Sequence, residues 1–174
     1  MRKTIKTKYL FTIALLLIGT ATGCDQADDV TGIFTEKTWK LTNIYLDDNS
    51  FPPELSRDYW DNEAAQVQSY KRLNDKGTFT IRFEGFETDN QISGSYTGYA
   101  TSTNISGNWN ANGKSNKFET DQESKVDKDP LGVAFINALK TAYKYEGNYD
   151  DLQIFFMEGK RKKYLLMRIE ATDE

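Results

Sequence analysis

The side chains in this chain that could carry acid or base chemistry are mainly carboxylates, because the sequence has no histidine and a single cysteine, Cys24. Those absences exclude Ser-His-Asp and Cys-His nucleophile systems, and zinc sites built on imidazole or thiolate ligands. Asp150 or Asp151 with Glu84 or Glu87 could form a glycosidase pair, but position in the sequence does not set the separation that two such carboxyls need. We therefore expect a protein that is not an enzyme and that uses no cofactor.

Two acid-rich segments offer the oxygen ligands that calcium prefers, Asp47-Asp48-Asn49 and Asp127-Lys128-Asp129. Neither segment has the residue spacing of a recognised calcium-binding loop. We interpret both as solvated turn acids and predict no metal site.

Aromatic residues are the more promising binding groups, since the chain has ten tyrosines and three tryptophans. Aromatic rings on loops can stack on sugar rings or grip another protein. Tyr59 and Trp60, in an irregular stretch, are the first candidates, followed by Tyr96, Tyr99 and Trp109. The alternative is that these rings fill strands, which favour aromatic residues.

A compact basic cluster, Lys160-Arg161-Lys162-Lys163, occupies a predicted hairpin turn. Such a cluster can contact phosphate headgroups or acidic glycans. The alternative is a solvated turn whose charges discourage pairing at a sheet edge.

The first 23 residues have the layout of a signal peptide. Residues 2–9 are basic, residues 10–18 are almost wholly apolar, and small residues lead into Cys24. The apolar run is far shorter than the roughly 20 residues that a permanent transmembrane helix needs. We predict that residues 1–23 serve export and are then removed.

The sequence Ala21-Thr22-Gly23-Cys24 resembles the lipobox of bacterial lipoproteins, although Ala21 stands where leucine is usual. The resemblance implies cleavage before Cys24 and attachment of lipid to its thiol. Several acyl chains on one cysteine give stable membrane attachment, whereas one chain is marginal. The alternative is cleavage nearby by an ordinary signal peptidase, which leaves a free thiol.

Residues 24–32 are predicted to form a flexible acidic tether, because residues 25–32 have little apolar surface to bury. An acidic run directly after the lipidated cysteine also resembles the surface-export signal of some Gram-negative lipoproteins. We therefore expect a cell-envelope protein at the outer membrane, which faces either the periplasm or the outside.

The charge of the mature chain argues against nucleic acid as a partner. Loss of residues 1–23, which hold four basic residues and no acid, changes the formal net charge from −4 to −8. A chain with this balance repels phosphate backbones.

From Thr38 onward the pattern predicts strands, because apolar residues recur at every second position in short runs bounded by Gly, Asn and Asp. The clearest run is Thr78-Phe79-Thr80-Ile81-Arg82-Phe83, and the last is 164–169. The other predicted runs are Trp39 with Leu41, 92–99, 106–109, and Leu152 with Ile154 and Phe156. Residues 47–71 are predicted to form a long loop, with a helical turn or an edge strand near 64–70. The pattern indicates an antiparallel meander sheet or a partly closed barrel.

One stretch, from Asp129 to Gly147, has helical periodicity, with apolar residues repeating at intervals of three and four. Asp129 can cap the N-terminus, Pro130 suits the first helical position, and Gly147 follows the predicted end. The sequence therefore predicts a mainly β fold with a single amphipathic helix near residues 130–145, in one domain over residues 33–174.

The order of these features resembles the META domain of small bacterial envelope lipoproteins, and similar lipocalin-like lipoproteins, over about residues 33–169. The matching segments are Trp39-x-Leu41, Gly94-Ser95-Tyr96-Thr97-Gly98, Phe135-x-x-x-Leu139, Tyr149-x-x-Leu152-x-Ile154 and Tyr164-Leu165-Leu166. The chain lacks the Gly-Cys-Asn step that many members of that family carry. The resemblance implies a compact β structure in the envelope, with roles in stress tolerance or surface binding and no catalytic residues.

The functional expectation is a lipid-anchored, non-enzymatic envelope protein that acts as an interaction or structural module. Its partners are the membrane, through the lipid, and an envelope protein, a glycan or a small apolar ligand. The alternatives are a lipocalin-like carrier that holds a small apolar ligand inside the sheet, and a glycan-binding surface protein.

Overall fold

The computed structural model describes residues 29–171, and eight antiparallel strands in that range form a closed barrel. Each strand pairs with the next along the chain, and β8 returns to pair with β1. The strands are β1 (Thr38–Leu46), β2 (Thr80–Thr88), β3 (Gln91–Tyr99), β4 (Asn104–Asn112), β5 (Lys117–Thr120), β6 (Ala142–Gly147), β7 (Asp151–Glu158) and β8 (Arg161–Ile169). The predicted antiparallel β fold is confirmed, and the barrel is fully closed.

Alternation of apolar and polar residues explains why these segments form a barrel with an apolar interior. On β8, for example, Leu165 and Met167 point inward and are fully buried, while Arg168 is exposed. The same period of two places Ile81 and Phe83 of β2 in the interior. β5 and β6 were not predicted, and they share a single registered pair, Lys117 with Lys144.

Large side chains fill the interior of the barrel. The Phe34 ring lies 4.8 Å from the Trp109 ring, 5.0 Å from the Tyr145 ring and 5.3 Å from the Phe118 ring, measured between centroids. All four rings are buried. Aromatic contacts of this kind add to the stabilisation that burial itself provides.

Helix α1 (Val30–Phe34) overturns part of the predicted tether. Val30 and Phe34 are fully buried, and the carboxylate of Asp29 caps the helix by accepting a hydrogen bond from Gly32 N at 2.9 Å. The tether prediction failed because Val30 and Phe34 bury enough apolar surface to fix the chain in the barrel mouth. The described residues begin at Asp29, so the predictions for residues 1–23, Cys24 and residues 25–28 lie outside them.

Helix α2 (Glu63–Asn74) replaces the long loop predicted over the second half of residues 47–71. Asn62 caps it by accepting a hydrogen bond from Ala65 N at 2.9 Å. Its apolar face is weak, since Ser69 and Leu73 are its buried residues. That weak periodicity is why the sequence predicted only a helical turn there.

Helix α3 (Pro130–Lys140) starts where predicted but ends earlier. Asp129 accepts hydrogen bonds from Leu131 N at 2.9 Å and Gly132 N at 3.3 Å, which confirms the predicted cap. Residues beyond Thr141 form β6, and Gly147 ends that strand instead of the helix. The prediction of a single helix is therefore wrong, because the described residues contain three.

The helices cover the two mouths of the barrel. α1 precedes β1 at one mouth, whereas α2 and α3 connect strands at the other, where the Phe135 ring of α3 packs 6.1 Å from Phe79. Within residues 29–171, no helix combines the length and apolarity needed to cross a bilayer.

Candidate functional site

Tyr96 and Trp109 lie inside the barrel, so the prediction that they form a ligand-facing surface is wrong. Tyr96 donates a hydrogen bond to the buried Gln122 at 2.7 Å, and burial raises the pKa of its hydroxyl to about 12. Trp109 donates from Nε1 to the Glu84 carbonyl oxygen at 3.1 Å. The inward positions of Tyr96 and Trp109 follow from the alternation of inward and outward side chains along β3 and β4. The same alternation along β3 places Tyr99 on the outward face, where it is half-buried.

Tyr59 and Trp60 are half-buried and fasten the irregular segment 47–62 to the barrel. Their ring centroids lie 5.8 Å apart, and the Trp60 ring packs 5.4 Å from Tyr70 of α2. Trp60 Nε1 also donates to Ser69 Oγ at 2.7 Å. These contacts make the pair part of the packing around the core instead of a free stacking platform.

A fully buried lysine, Lys163, sits beside this pair on the inner face of β8. Its ammonium group donates to Asp58 Oδ1 at 2.8 Å, to Tyr59 OH at 3.1 Å and to the Glu158 carboxylate. It also lies 4.5 Å from the centre of the Tyr59 ring. The basic cluster 160–163 is therefore split, because its fourth member points into the barrel while the other three lie at the hairpin.

The electrostatics of this cluster keep Lys163 charged. Burial acts to lower the pKa of Lys163, but hydrogen bonds to Asp58 and Glu158 outweigh burial and raise it above its ordinary value. Burial acts to raise the pKa of Asp58, but hydrogen bonds from Lys163 and Ser56 lower it to about 2. A protonated amine between two carboxylates is a poor nucleophile or base, so the arrangement is suited to holding the segment in place.

The acids Asp127 and Asp129 are buried, so their interpretation as solvated turn acids is wrong. Asp127 accepts hydrogen bonds from Thr101 N at 3.1 Å and Ser102 N at 2.9 Å, which ties the β3–β4 turn to the start of α3. Asp129 accepts from Ser69 Oγ at 2.7 Å and forms an ion pair with Arg72 at 2.8 Å. Both carboxylates link secondary structure elements.

The carboxylates considered for glycosidase chemistry have separate partners. Asp151 pairs with Arg168 at 2.9 Å on β8, and Glu84 pairs with Arg82 at 3.5 Å on β2. β2 and β7 are not neighbours in the barrel. Across residues 29–171, no three His, Cys, Asp or Glu side chains converge in a way that could hold a metal ion.

An open groove of about 1010 Å³ runs along the outer face of β2–β5 and reaches the start of β6. Phe86 lies at its edge with 73% of its surface exposed. Ser93 of β3 is registered with Phe86 of β2 and with Asn110 of β4, so the three residues form one cross-strand row. Sequence reasoning missed this row, because register across strands cannot be read from the residues of one strand.

The profile of the family described as "Domain of unknown function (DUF4847)" matches residues 25–169. The chain belongs to this DUF4847 family. A crystal structure of a DUF4847 family protein from Bacteroides vulgatus ATCC 8482, at 1.00 Å resolution, is similar to it with a TM-score of 0.58 and 23% identity. The similarity covers 83% of this chain and 99% of that one, and it supports the DUF4847 barrel fold.

The search of curated proteins found no match to this DUF4847 chain. The resemblance to META-domain and lipocalin-like lipoproteins therefore stays a prediction. The DUF4847 match begins one residue after Cys24.

Proposed function

We propose that this DUF4847 protein is a lipid-anchored, non-enzymatic protein of the Gram-negative cell envelope, held at the outer membrane, that works through its outer surface as an interaction or structural module. The observation that carries the proposal is the filled interior. Phe34 of α1 enters the barrel and contacts Trp109, Phe118 and Tyr145 at centroid distances of 4.8–5.3 Å. A side chain from the protein itself takes the space that a carrier would offer to its ligand.

The anchor is supported by the basic and apolar leader and by the lipobox-like residues before Cys24. Asp29, the first described residue, follows Cys24 by five residues, so a fully extended connection spans at most about 18 Å. A lipid on Cys24 would hold the α1 mouth of the barrel near the bilayer surface. The residues of β2–β5 would then be presented sideways, accessible to partners.

The carrier and the enzyme are the competing functions. A carrier needs an apolar cavity in the sheet, and the residues that would line it, such as Ile154, Leu165 and Met167, are fully buried in packed contact. An enzyme needs an activated group in a cleft, and the buried Lys163 is neutralised by two carboxylates. Both observations favour a module that binds on the outside.

The test is metabolic labelling of the full chain with an alkyne analogue of palmitate in a Gram-negative host, followed by organic extraction of the purified protein. We expect label on the unmodified chain and none on Cys24→Ala, with no apolar compound released at a one-to-one ratio. An unlabelled Cys24 would overturn the anchor. Release of an apolar compound at a one-to-one ratio would support the carrier function instead of the interaction module.

A further inference from the structure

The outer row Phe86, Ser93 and Asn110 lies in a surface of unusual composition. Neither β3 nor β4 contains a charged residue, and their outward positions are occupied almost entirely by amide and hydroxyl side chains. These positions are Gln91, Ser93, Ser95, Thr97, Tyr99, Asn104, Ser106, Asn108, Asn110 and Asn112. The outer wall there is polar, dense in hydrogen-bonding groups and neutral.

Some of these groups already have partners and others do not. Asn108 donates to Asp121 at 2.7 Å, and Asn112 accepts hydrogen bonds from Lys114 and Ser115 at 3.0 Å. Within residues 29–171, no hydrogen bond engages the side chains of Gln91, Ser93 or Asn110. An amide offers two donors and an acceptor, so Gln91 and Asn110 present their full capacity to the groove.

The row has the dimensions of a small extended ligand. Directly registered residues on one face of a sheet have Cβ atoms about 5 Å apart, so Phe86 and Asn110 stand about 10 Å apart with Ser93 between them. Beyond Asn110 the row continues to Glu119, which is paired with Lys117 at 2.7 Å. The cross-strand row therefore runs from the exposed Phe86 ring, through the side chains of Ser93 and Asn110, to Glu119, whose charge is balanced by Lys117.

We propose that this groove binds a neutral carbohydrate chain, with the Phe86 ring stacked on the apolar face of one sugar and with Asn110, Ser93 and Gln91 hydrogen-bonded to its hydroxyls. The inference rests on the proposed function, since it names the ligand class of a module that works through its outer surface. A sugar has the two matching surfaces, a patch of C–H groups for an aromatic ring and vicinal hydroxyls for planar amides.

The charge and polarity of the groove favour a neutral sugar over other ligands. Lys117 is paired with Glu119 at 2.7 Å, and the remaining charges that line the groove, Lys140 and Asp121, balance each other, so an anion gains little net attraction. An apolar ligand would cover the free amides without satisfying them, which costs free energy for each buried group. A single exposed phenylalanine is ordinary on a protein surface, and it is the adjoining row of free polar groups that gives Phe86 a role.

The test is isothermal titration calorimetry of the full-length protein in a detergent that contains no sugar. The probes are hexasaccharides of glucose, mannose, xylose and galactose, with polygalacturonate as the anionic comparison. We expect at least one neutral hexasaccharide to bind with a Kd on the order of 0.1 mM, and polygalacturonate to bind more weakly.

Three variants locate the site. Phe86→Ala and Asn110→Ala should each weaken binding about tenfold, which corresponds to about 1.4 kcal/mol, because each removes one of the recognition groups. Phe51→Ala is the matched control, since Phe51 is 98% exposed but lies in the segment after β1, outside the groove. It should bind like the unmodified protein, and circular dichroism should show all three variants folded.

Binding by none of the neutral probes would overturn the proposal, and so would binding that Phe86→Ala and Asn110→Ala leave unchanged. Stronger binding of polygalacturonate would assign the groove to an anion instead. These failures are distinguishable from failure of the proposed function, because the labelling of Cys24 and the extraction of apolar compounds do not depend on the groove.

Discussion

The ammonium group of Lys163 lies 2.8 Å from the carboxylate of Asp58, and this ion pair joins the inner face of β8 to the segment between β1 and α2. The cation and its two carboxylate partners, Asp58 and Glu158, have unequal surroundings. The Lys163 side chain is fully buried, whereas 31% of the Asp58 side chain and 42% of the Glu158 side chain are exposed. Removing the cation and removing the anions should therefore have different consequences.

Replacing the cation, in Lys163→Met, should change the free energy of unfolding by no more than about 1 kcal/mol, because methionine fills the space and both carboxylates can regain water. Replacing both anions, in the double variant Asp58→Asn with Glu158→Gln, should lower it by about 3 kcal/mol or more, because a buried charge is left uncompensated. Urea unfolding measures both.

Lys162→Met is the control for that comparison, since Lys162 is the exposed neighbour on β8. It should stay within about 0.5 kcal/mol of the unmodified protein. If Lys163→Met lowered the free energy of unfolding as much as the double variant does, the ion cluster would stabilise the protein by more than its desolvation costs, and the prediction for Lys163→Met would be wrong.

Phe34→Ala should lower the free energy of unfolding by about 3 to 5 kcal/mol, because it empties the centre of the aromatic core. The Phe34 ring contacts Phe83 at 5.2 Å as well as the three rings described above. Phe51→Ala, at an exposed position, should leave stability unchanged in the same urea titration. Equal stabilities for the two variants would mean that the Phe34 side chain does not fill the centre of the barrel.

Asp127→Asn should destabilise the protein in a pH-dependent way. Burial acts to raise the pKa of Asp127, but hydrogen bonds from Thr101, Asp129 and Ser102 outweigh burial and lower it to about 2. A carboxyl whose folded pKa lies below its unfolded value stabilises the protein above pH 4, and that contribution is lost as the pH falls toward 2.

The variant should therefore be about 2 kcal/mol less stable than the unmodified protein at pH 7, and the gap should close between pH 4 and pH 2. Urea midpoints across that pH range measure the effect. A gap that stayed constant down to pH 2 would mean that the Asp127 charge is not its source.

Trp60→Ala should cost about 2 to 3 kcal/mol, less than a fully buried tryptophan because the ring is only half-buried. Trp60→Phe keeps the ring contacts with Tyr59 and Tyr70 but loses the hydrogen bond to Ser69, so it should cost about 1 kcal/mol. Thermal or urea denaturation distinguishes these values. If neither variant lowered the free energy of unfolding, the Trp60 ring would be available for binding, as its position in the sequence suggested.

The strands were predictable because the alternation of apolar and polar residues along a strand is a local pattern in the sequence. The spacing of two residues shows that Ile81 and Phe83 share one face of β2 and that Leu165 and Met167 share one face of β8. No knowledge of another strand is needed. The start of α3 was predictable for a similar reason, since Asp129 and Pro130 act on backbone groups within three residues of themselves. Features that depend on near neighbours in the chain can therefore be predicted from the sequence alone.

The failures concern features that depend on distant partners. Lys163 looked like one of four surface cations; it shares the buried face of β8 with Leu165 and Met167, and the carboxylate of Asp58 that makes its burial possible lies 105 residues away in the chain. The predicted tether, residues 24–32, includes Val30 but not Phe34, and burial of both side chains in the barrel fixes its last residues in place.

The candidate groove was hidden for the same reason as those two features. Phe86, Ser93 and Asn110 lie on three different strands, and only the register of the sheet assembles them into one surface. Register depends on how whole strands align, which their individual patterns do not fix.

A native mass spectrum of the protein purified from the membranes of a Gram-negative host tests both the lipid anchor and the filled interior of the barrel. We expect a chain that begins at Cys24, carries several acyl chains on that residue and holds no apolar small molecule, because the interior is filled by its own side chains. An unacylated Cys24, or a stoichiometric apolar ligand retained by the folded barrel, would contradict this expectation.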